Sequence, residues 1–316
     1  MRLSRLASFA ALVPLALAIA SCDAATPDDD GKVDDPQLDS VVDTADALVV
    51  TTPEFVIPPG DSFTCFYTKF TTTEELAIVS GDGVQGQGGH HIIAYFADEP
   101  RPVGNHPCTD EEMVNLNQIA GSAGDGGQVL ALPPGLAIHV PVGKQIVVQA
   151  HYINTTGVEE KVHDTVKIVK GKPADVKSFV NYFVTNDDAF EIAPNAPLVR
   201  ETECTIDKDY QMAIALPHMH ELGNHFTLDV IGTDGKPRER LIDTDWALSY
   251  SSHPPVKTWS MDAPYVLKKG EKLRQKCEWQ NSTMDPVIFP REMCLSFFYY
   301  WPGGGDLDCK MVPVAQ

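Results

Sequence analysis

Basic residues are scarce in this chain: 24 Lys plus Arg face 44 Asp plus Glu, a formal net charge of -20 over 316 residues. So acidic a protein cannot neutralise a phosphate backbone or dock by charge on an anionic lipid surface, so nucleic acid is not expected as a partner. Convincing long helical periodicity is also missing, and 24 Pro with 23 Gly argue against a helical bundle. The apolar run from Leu6 to Ala20 is too short and too soon interrupted for a comfortable membrane span. No Ser-His-Asp or Cys-His arrangement marks nucleophilic catalysis. What is present, a hydrophobic fraction of 43% and a charged fraction of 22%, excludes disorder throughout. The length suffices for about two domains and a substantial core.

Arg2 and Arg5 precede the apolar run, which ends in Ile19-Ala20-Ser21-Cys22. Small residues leading into a cysteine resemble the lipobox of bacterial lipoproteins, which implies a signal peptide over residues 1–21 and lipidation of Cys22. The chain is then expected outside the cytoplasm, lipid-anchored to the bacterial cell envelope. The plainer alternative is an ordinary signal peptide with a leftover cysteine. Between Asp23 and Asp46 there are nine Asp, one Lys and almost no large apolar side chain, so residues 22–47 read as a disordered acidic tether. Export implies an oxidising compartment, where the six cysteines Cys65, Cys108, Cys204, Cys277, Cys294 and Cys309 are expected to form disulfides. Spacing alone leaves the pairing open. Bridges confined to each half would be Cys65–Cys108 plus two among the other four.

From Thr51 onward, short apolar or alternating runs alternate with turn signals about every ten residues, as in Phe226-Thr227-Leu228-Asp229-Val230 and Leu295-Ser296-Phe297-Phe298-Tyr299-Tyr300. This is the pattern of an all-β fold. A faint repeat suggests two tandem antiparallel β-sandwich, jelly-roll-like domains. Phe55-Val56-Ile57-Pro58-Pro59 leads to Cys65, and Phe190-Glu191-Ile192-Ala193-Pro194 leads to Cys204. The expected domains are 48–175 and 176–316, divided near Lys172 to Lys177, with a cleft between them.

The chain has ten histidines. His90-His91 opens a strand-like run, and His151 sits in Gln149-Ala150-His151-Tyr152, so three imidazoles from two β segments could converge on a metal. Imidazole suits copper, zinc and nickel alike. In the second half, His218-Met219-His220 places two imidazoles at i and i+2, on one face of a strand, with Met219 pointing the other way. A third ligand could be Met293 in Arg291-Glu292-Met293-Cys294, whose soft thioether would favour Cu(I).

Taken together and in this order, His90-His91, Gln149-Ala150-His151-Tyr152, His218-Met219-His220-Glu221-Leu222-Gly223 and Glu292-Met293-Cys294 resemble the copper type II, ascorbate-dependent monooxygenases, the family of peptidylglycine alpha-hydroxylating and dopamine beta-monooxygenases. The resemblance runs from about Thr51 to Cys309. It implies two copper ions per chain: one on His90, His91 and His151 for electron transfer, the other on His218, His220 and Met293 for oxygen activation. It also implies the disulfides Cys65–Cys108, Cys204–Cys309 and Cys277–Cys294, the last fixing the backbone beside Met293. The implied reaction is hydroxylation of a C–H bond in a small-molecule substrate, using O2 and two electrons from ascorbate or another reductant, in a chain expected to be monomeric. The implied active site is the gap between the two domains.

One departure bears on substrate. Where the peptide-hydroxylating branch holds a terminal carboxylate with arginine, asparagine and tyrosine, this chain has Leu216, Leu295 and Phe297, whose side chains donate no hydrogen bond. An apolar or aromatic substrate is expected instead. Rival readings are a non-catalytic copper-binding lipoprotein for sequestration or delivery, and an adhesion module with fortuitous histidines. Gly81-Asp82-Gly83-Val84-Gln85-Gly86 matches G-x-G-x-x-G but lacks a following helix, and reads as a loop. The sequons at Asn154 and Asn281 carry no weight in a bacterial lipoprotein. His106, His139, His163, His225 and His253 read as ordinary surface or core histidines.

Overall fold

The computed structural model describes residues 40–123, 126, 131–303 and 309–314. The expected signal segment and Cys22 lie outside these residues. In the first half the strands are β1 (Ser40–Asp43), β2 (Ala47–Thr51), β3 (Phe55–Ile57), β4 (Gly60–Thr71), β5 (Leu76–Val84), β6 (Gly89–Ala97), β7 (Gly104–Pro107), β8 (Asn117–Ala123), β9 (Leu136–Val140), β10 (Gln145–Asn154), β11 (Glu160–Val162) and β12 (Thr165–Lys170). The second half has β13 (Ser178–Asn186), β14 (Glu191–Ile192), β15 (Pro197–Thr205), β16 (Tyr210–His218), β17 (Gly223–Ile231), β18 (Pro237–Asp245), β19 (Lys257–Thr258), β20 (Tyr265–Leu267), β21 (Lys272–Gln280), β22 (Val287–Ile288), β23 (Leu295–Trp301) and β24 (Val312–Pro313). The fold is all-β, as the alternating runs require.

Alternation sets the faces. In β21, Leu273, Gln275, Cys277 and Trp279 are buried while the residues between them are partly exposed, the period of two of a strand with one face on a core. The sheet β7-β4-β10-β6-β8 covers the first core, where Phe66, Ile92, Val148 and Tyr152 meet Leu48, Ile78, Val166 and Ile168. The sheet β18-β17-β21-β15-β24 covers the second, where Phe226, Leu228 and Trp279 meet Phe183, Met212 and Phe298. The remaining layer is shared. β9 pairs in parallel with β13, joining strands of both halves into one ten-stranded sheet. Ile214, Leu216, Tyr299 and Trp301 from the second half pack into the first core, so the halves are bonded by a ladder and by apolar contact.

All three disulfides implied by the resemblance are formed: Cys65–Cys108, Cys204–Cys309 and Cys277–Cys294. The faint repeat also has a structural counterpart. β3 pairs with β11 and β14 with β22, two small ribbons built alike. Asn154 Nδ2 donates to the carbonyls of Ile57 and Val158, while its Oδ1 accepts from the N–H and hydroxyl of Thr156. Asn281 does the same with Ile192, Ala193, Asp285 and Thr283. The two sequon asparagines are thus buried turn staples.

Two expectations need correction. Residues 40–47, expected in the tether, are structured: Ser40–Asp43 pairs with Ala47–Thr51, and Asp43 forms an ion pair with Lys170, while the rest of the expected tether lies outside the described residues. Gly81 and Gly83 lie in β5 rather than in a loop. A Cβ on Gly81 would come 2.6 Å from Ala120 Cβ and one on Gly83 2.7 Å from Ile92 Cγ2, so close sheet packing accounts for both glycines.

The short helix α1 (Asp110–Asn115) is closed by a capping box between Thr109 and Glu112. The buried Glu112 carboxylate accepts from Thr109 N–H, Tyr67 Oη (2.8 Å), Arg101 Nη1 (2.8 Å) and His106 Nε2 (2.9 Å). Burial would raise its pKa, but the hydrogen bonds from Thr109, Tyr67 and His106 outweigh that and hold it down at about 2 instead of 4.5. A depressed carboxyl stabilises the fold fully above its unfolded pKa. That contribution is therefore complete above about pH 4.5 and is lost as the pH falls toward about 2. Glu112→Gln should flatten this acid limb of the Tm-against-pH curve, and Glu112→Ala should cost about 3 kcal/mol in urea unfolding at pH 7. An unchanged acid limb in the Gln variant would contradict the assignment.

Candidate metal centre

Two neighbouring residues on a regular strand point to opposite faces, so His90 and His91 could not both serve one site without an irregularity. The irregularity is a bulge. His151 of β10 pairs with His91 of β6, but the next residue, Tyr152, pairs with Gly89 and passes over His90. The extra residue turns His90 onto the face carrying His91 and His151. Their Nδ1 atoms then form a triangle with sides of 3.1, 3.2 and 3.4 Å. Its centre is about 1.9 Å from each nitrogen, close to the ~2.0–2.1 Å of a metal–imidazole bond.

Proton placement agrees with ligation. His151 Nε2 lies 2.6 Å from Asp61 Oδ1, so that nitrogen carries the hydrogen and Nδ1 presents a lone pair to the triangle. Burial, reinforced by neighbouring imidazoles, pushes His90 down to about 4 and His91 well below its ordinary value. Burial also lowers His151, against the opposing pull of Asp61. Neutral imidazole is the form that binds metals. Three convergent neutral imidazoles therefore fit a bound copper, zinc or nickel ion.

The second group is assembled differently from the sequence expectation. β16 ends at His218, and His220 lies in the turn before β17. Its backbone leaves the ladder because the buried Glu292 carboxylate takes the N–H groups of His220 (3.1 Å) and Leu222 (2.6 Å), and Trp246 Nε1 donates to the His220 carbonyl (3.0 Å). Met219 is buried in the second core. His220 Nδ1 donates to the Arg291 carbonyl at 3.0 Å, leaving Nε2 bare to face His218 Nε2 at 3.1 Å. Burial, with repulsion from His220 and His90, sets His218 well below its usual pKa.

Met293 follows directly: its N–H lies 3.3 Å from the same Glu292 oxygen that accepts from His220. One carboxylate thus gathers the backbone of both proposed ligand segments, and Cys277–Cys294 pins the next residue. The two groups also adjoin. The rings of His90 and His220 are 6.1 Å apart between centroids, much closer than the open gap expected between domains. Beside His218, the register sets Leu295 opposite His218 and Phe297 opposite Leu216, so all three apolar residues share its face. The rings of Phe297 and His218 are 6.3 Å apart.

Sequence reasoning missed Asp61 and Phe63, which share one face of β4 opposite β10; Phe63 stacks on His151 at 3.9 Å. Their alternation around Ser62 was visible, but their target depended on an unknown register. It also missed the role of Glu292. Of the histidines set aside, His106 serves the Glu112 network, His139 contacts Glu75 (2.6 Å), and His225 lies between Asp243 (2.9 Å) and Asp245 (2.8 Å).

Against known proteins, no family model matches the chain. It is 23% identical over 258 residues to the human protein named "Putative DBH-like monooxygenase protein 2", covering 71% of this chain and 49% of that protein. It is also 23% identical over 146 residues to the mouse "DBH-like monooxygenase protein 2", covering 45% and 21%. The chain thus spans about half the length, at most, of these curated relatives. Among solved structures, the major capsid protein P2 of bacteriophage PM2 aligns with 84% of this chain and 96% of its own, at 10% identity and a TM-score of only 0.31. What the comparisons give is distant similarity to DBH-like monooxygenases.

Proposed function

We propose that the chain is a copper-dependent monooxygenase that hydroxylates a C–H bond of a small organic molecule with O2 and a two-electron reductant such as ascorbate. The observation that carries this reading is the pair of adjoining histidine groups, each with bare nitrogens aimed at a common point. Distant similarity to DBH-like monooxygenases supports it. His90, His91 and His151 would hold one ion, and His218, His220 and Met293 the other. Bound copper would supply one-electron redox cycling and dioxygen activation.

The chain's own residues supply placement. The Arg291 carbonyl fixes the His220 tautomer, and Glu292 holds its backbone. Leu216, Leu295 and Phe297 offer a substrate apolar contact and no partner for a carboxylate, which favours an apolar or aromatic molecule. Two copper ions per chain and ascorbate-driven oxygen uptake that yields hydroxylated product from such a molecule are expected in metal counting, oxygen electrode traces and mass spectrometry. Two ions without uptake across a broad substrate panel would replace this reading with copper sequestration or delivery, and a stoichiometry near zero would sink both.

A further inference from the structure

We infer that Asp61 is a positioning residue for the first histidine group, setting the tautomer of His151 and biasing the group toward the more highly charged state of its ion. The inference rests on the copper reading above. An imidazole has its two nitrogens on opposite edges, and both edges of His151 are occupied. Nε2 meets Asp61 Oδ1 at 2.6 Å, while Nδ1 faces His90 at 3.2 Å and His91 at 3.4 Å. Phe63 covers the flat side at 3.9 Å with an interplanar angle of 14°, so the ring is held in its plane and along its length.

Among the described residues neither His90 nor His91 hydrogen-bonds a carboxylate, so this arrangement distinguishes His151. His151 is buried (2% exposed) whereas Asp61 is 48% exposed, so the carboxylate caps the buried group at its solvent edge. A carboxylate accepting the remote N–H of a ligating imidazole makes that imidazole a stronger donor, and loss of such a partner typically costs about 10- to 100-fold in metal affinity. Its negative charge helps Cu(II) more than Cu(I). The ion held there should therefore have a lower potential than the same three histidines would give alone, which suits it to release an electron.

The test uses the full chain with His218→Ala and His220→Ala as parent, so that copper is counted at the first group alone. Adding Asp61→Asn should weaken Cu(II) binding about 10-fold or more, with a smaller loss for Cu(I). The Cu(II)/Cu(I) midpoint should rise by about 59 mV for each tenfold difference between the two losses. The Cu(II) electron paramagnetic resonance hyperfine splitting should change with it. Asp61→Glu keeps the charge and should retain most of the affinity and the lower potential. Equal affinities, midpoint and spectrum in parent and Asp61→Asn would overturn this inference while leaving the copper reading intact. A parent that binds no copper, when wild type binds none either, would overturn both.

Discussion

Met293→Ala should abolish ascorbate-driven oxygen uptake, a loss of about 100-fold or more, while leaving one of two copper ions bound. The thioether is the only soft donor in the proposed set, and it would favour Cu(I) over Cu(II). The retained ion follows from construction. His90, His91 and His151 are set by the β6–β10 pairing and its bulge, whereas the second group is set by the end of β16, the turn that follows and the segment before β23. Although the His90 and His220 rings adjoin, no strand supplies ligands to both groups. X-ray absorption at the copper edge should show loss of a sulfur neighbour in the variant. Loss of both ions, or full oxygen uptake, would contradict the ligand assignment.

Glu292→Ala should be the most destabilising single change near the site, by about 3–5 kcal/mol. Its carboxylate is completely buried and holds the N–H groups of Leu222 (2.6 Å), His220 (3.1 Å) and Met293 (3.3 Å) together with Trp279 Nε1 (2.9 Å). Removing it leaves four interior donors without acceptors, each worth about 1–3 kcal/mol before the surroundings relax. Glu292→Gln retains one carbonyl oxygen and should cost less than half as much. Urea midpoints would rank the variants, and metal counting should show the Ala variant losing the second ion first. Equal stability of wild type and Glu292→Ala would mean that the turn is held by something else.

The strands were the legible part of this fold. Phe226–Val230 and Leu295–Tyr300 alternate or run apolar, and both lie within strands. Their burial follows from side-chain chemistry that composition already displays. The histidine groups were legible as residue types, but the geometry was not. Adjacent His90 and His91 converge only through a bulge, which depends on how β6 pairs with β10. His218-Met219-His220 looked like one strand face because spacing cannot reveal that a glutamate 72 residues away from His220 would take the place of a ladder partner. Asp61 and Phe63 were silent for the same reason: alternation gives a face, and only register gives the neighbour. The β5 glycines show the reverse case, where a loop motif is produced by the need for two sheets to approach closely.

The paired asparagine staples have a practical consequence for making this protein. Asn154 and Asn281 each begin an acceptor tripeptide for oligosaccharide transfer, yet both amide hydrogens are already spent inside the fold. A eukaryotic secretory host that attaches sugar during synthesis would substitute that nitrogen before the turns close, jamming the corresponding ribbon in each half. Production in a bacterial host keeps these interior nitrogens free and leaves the Thr156 and Thr283 hydroxyls donating to the Asn154 and Asn281 oxygens.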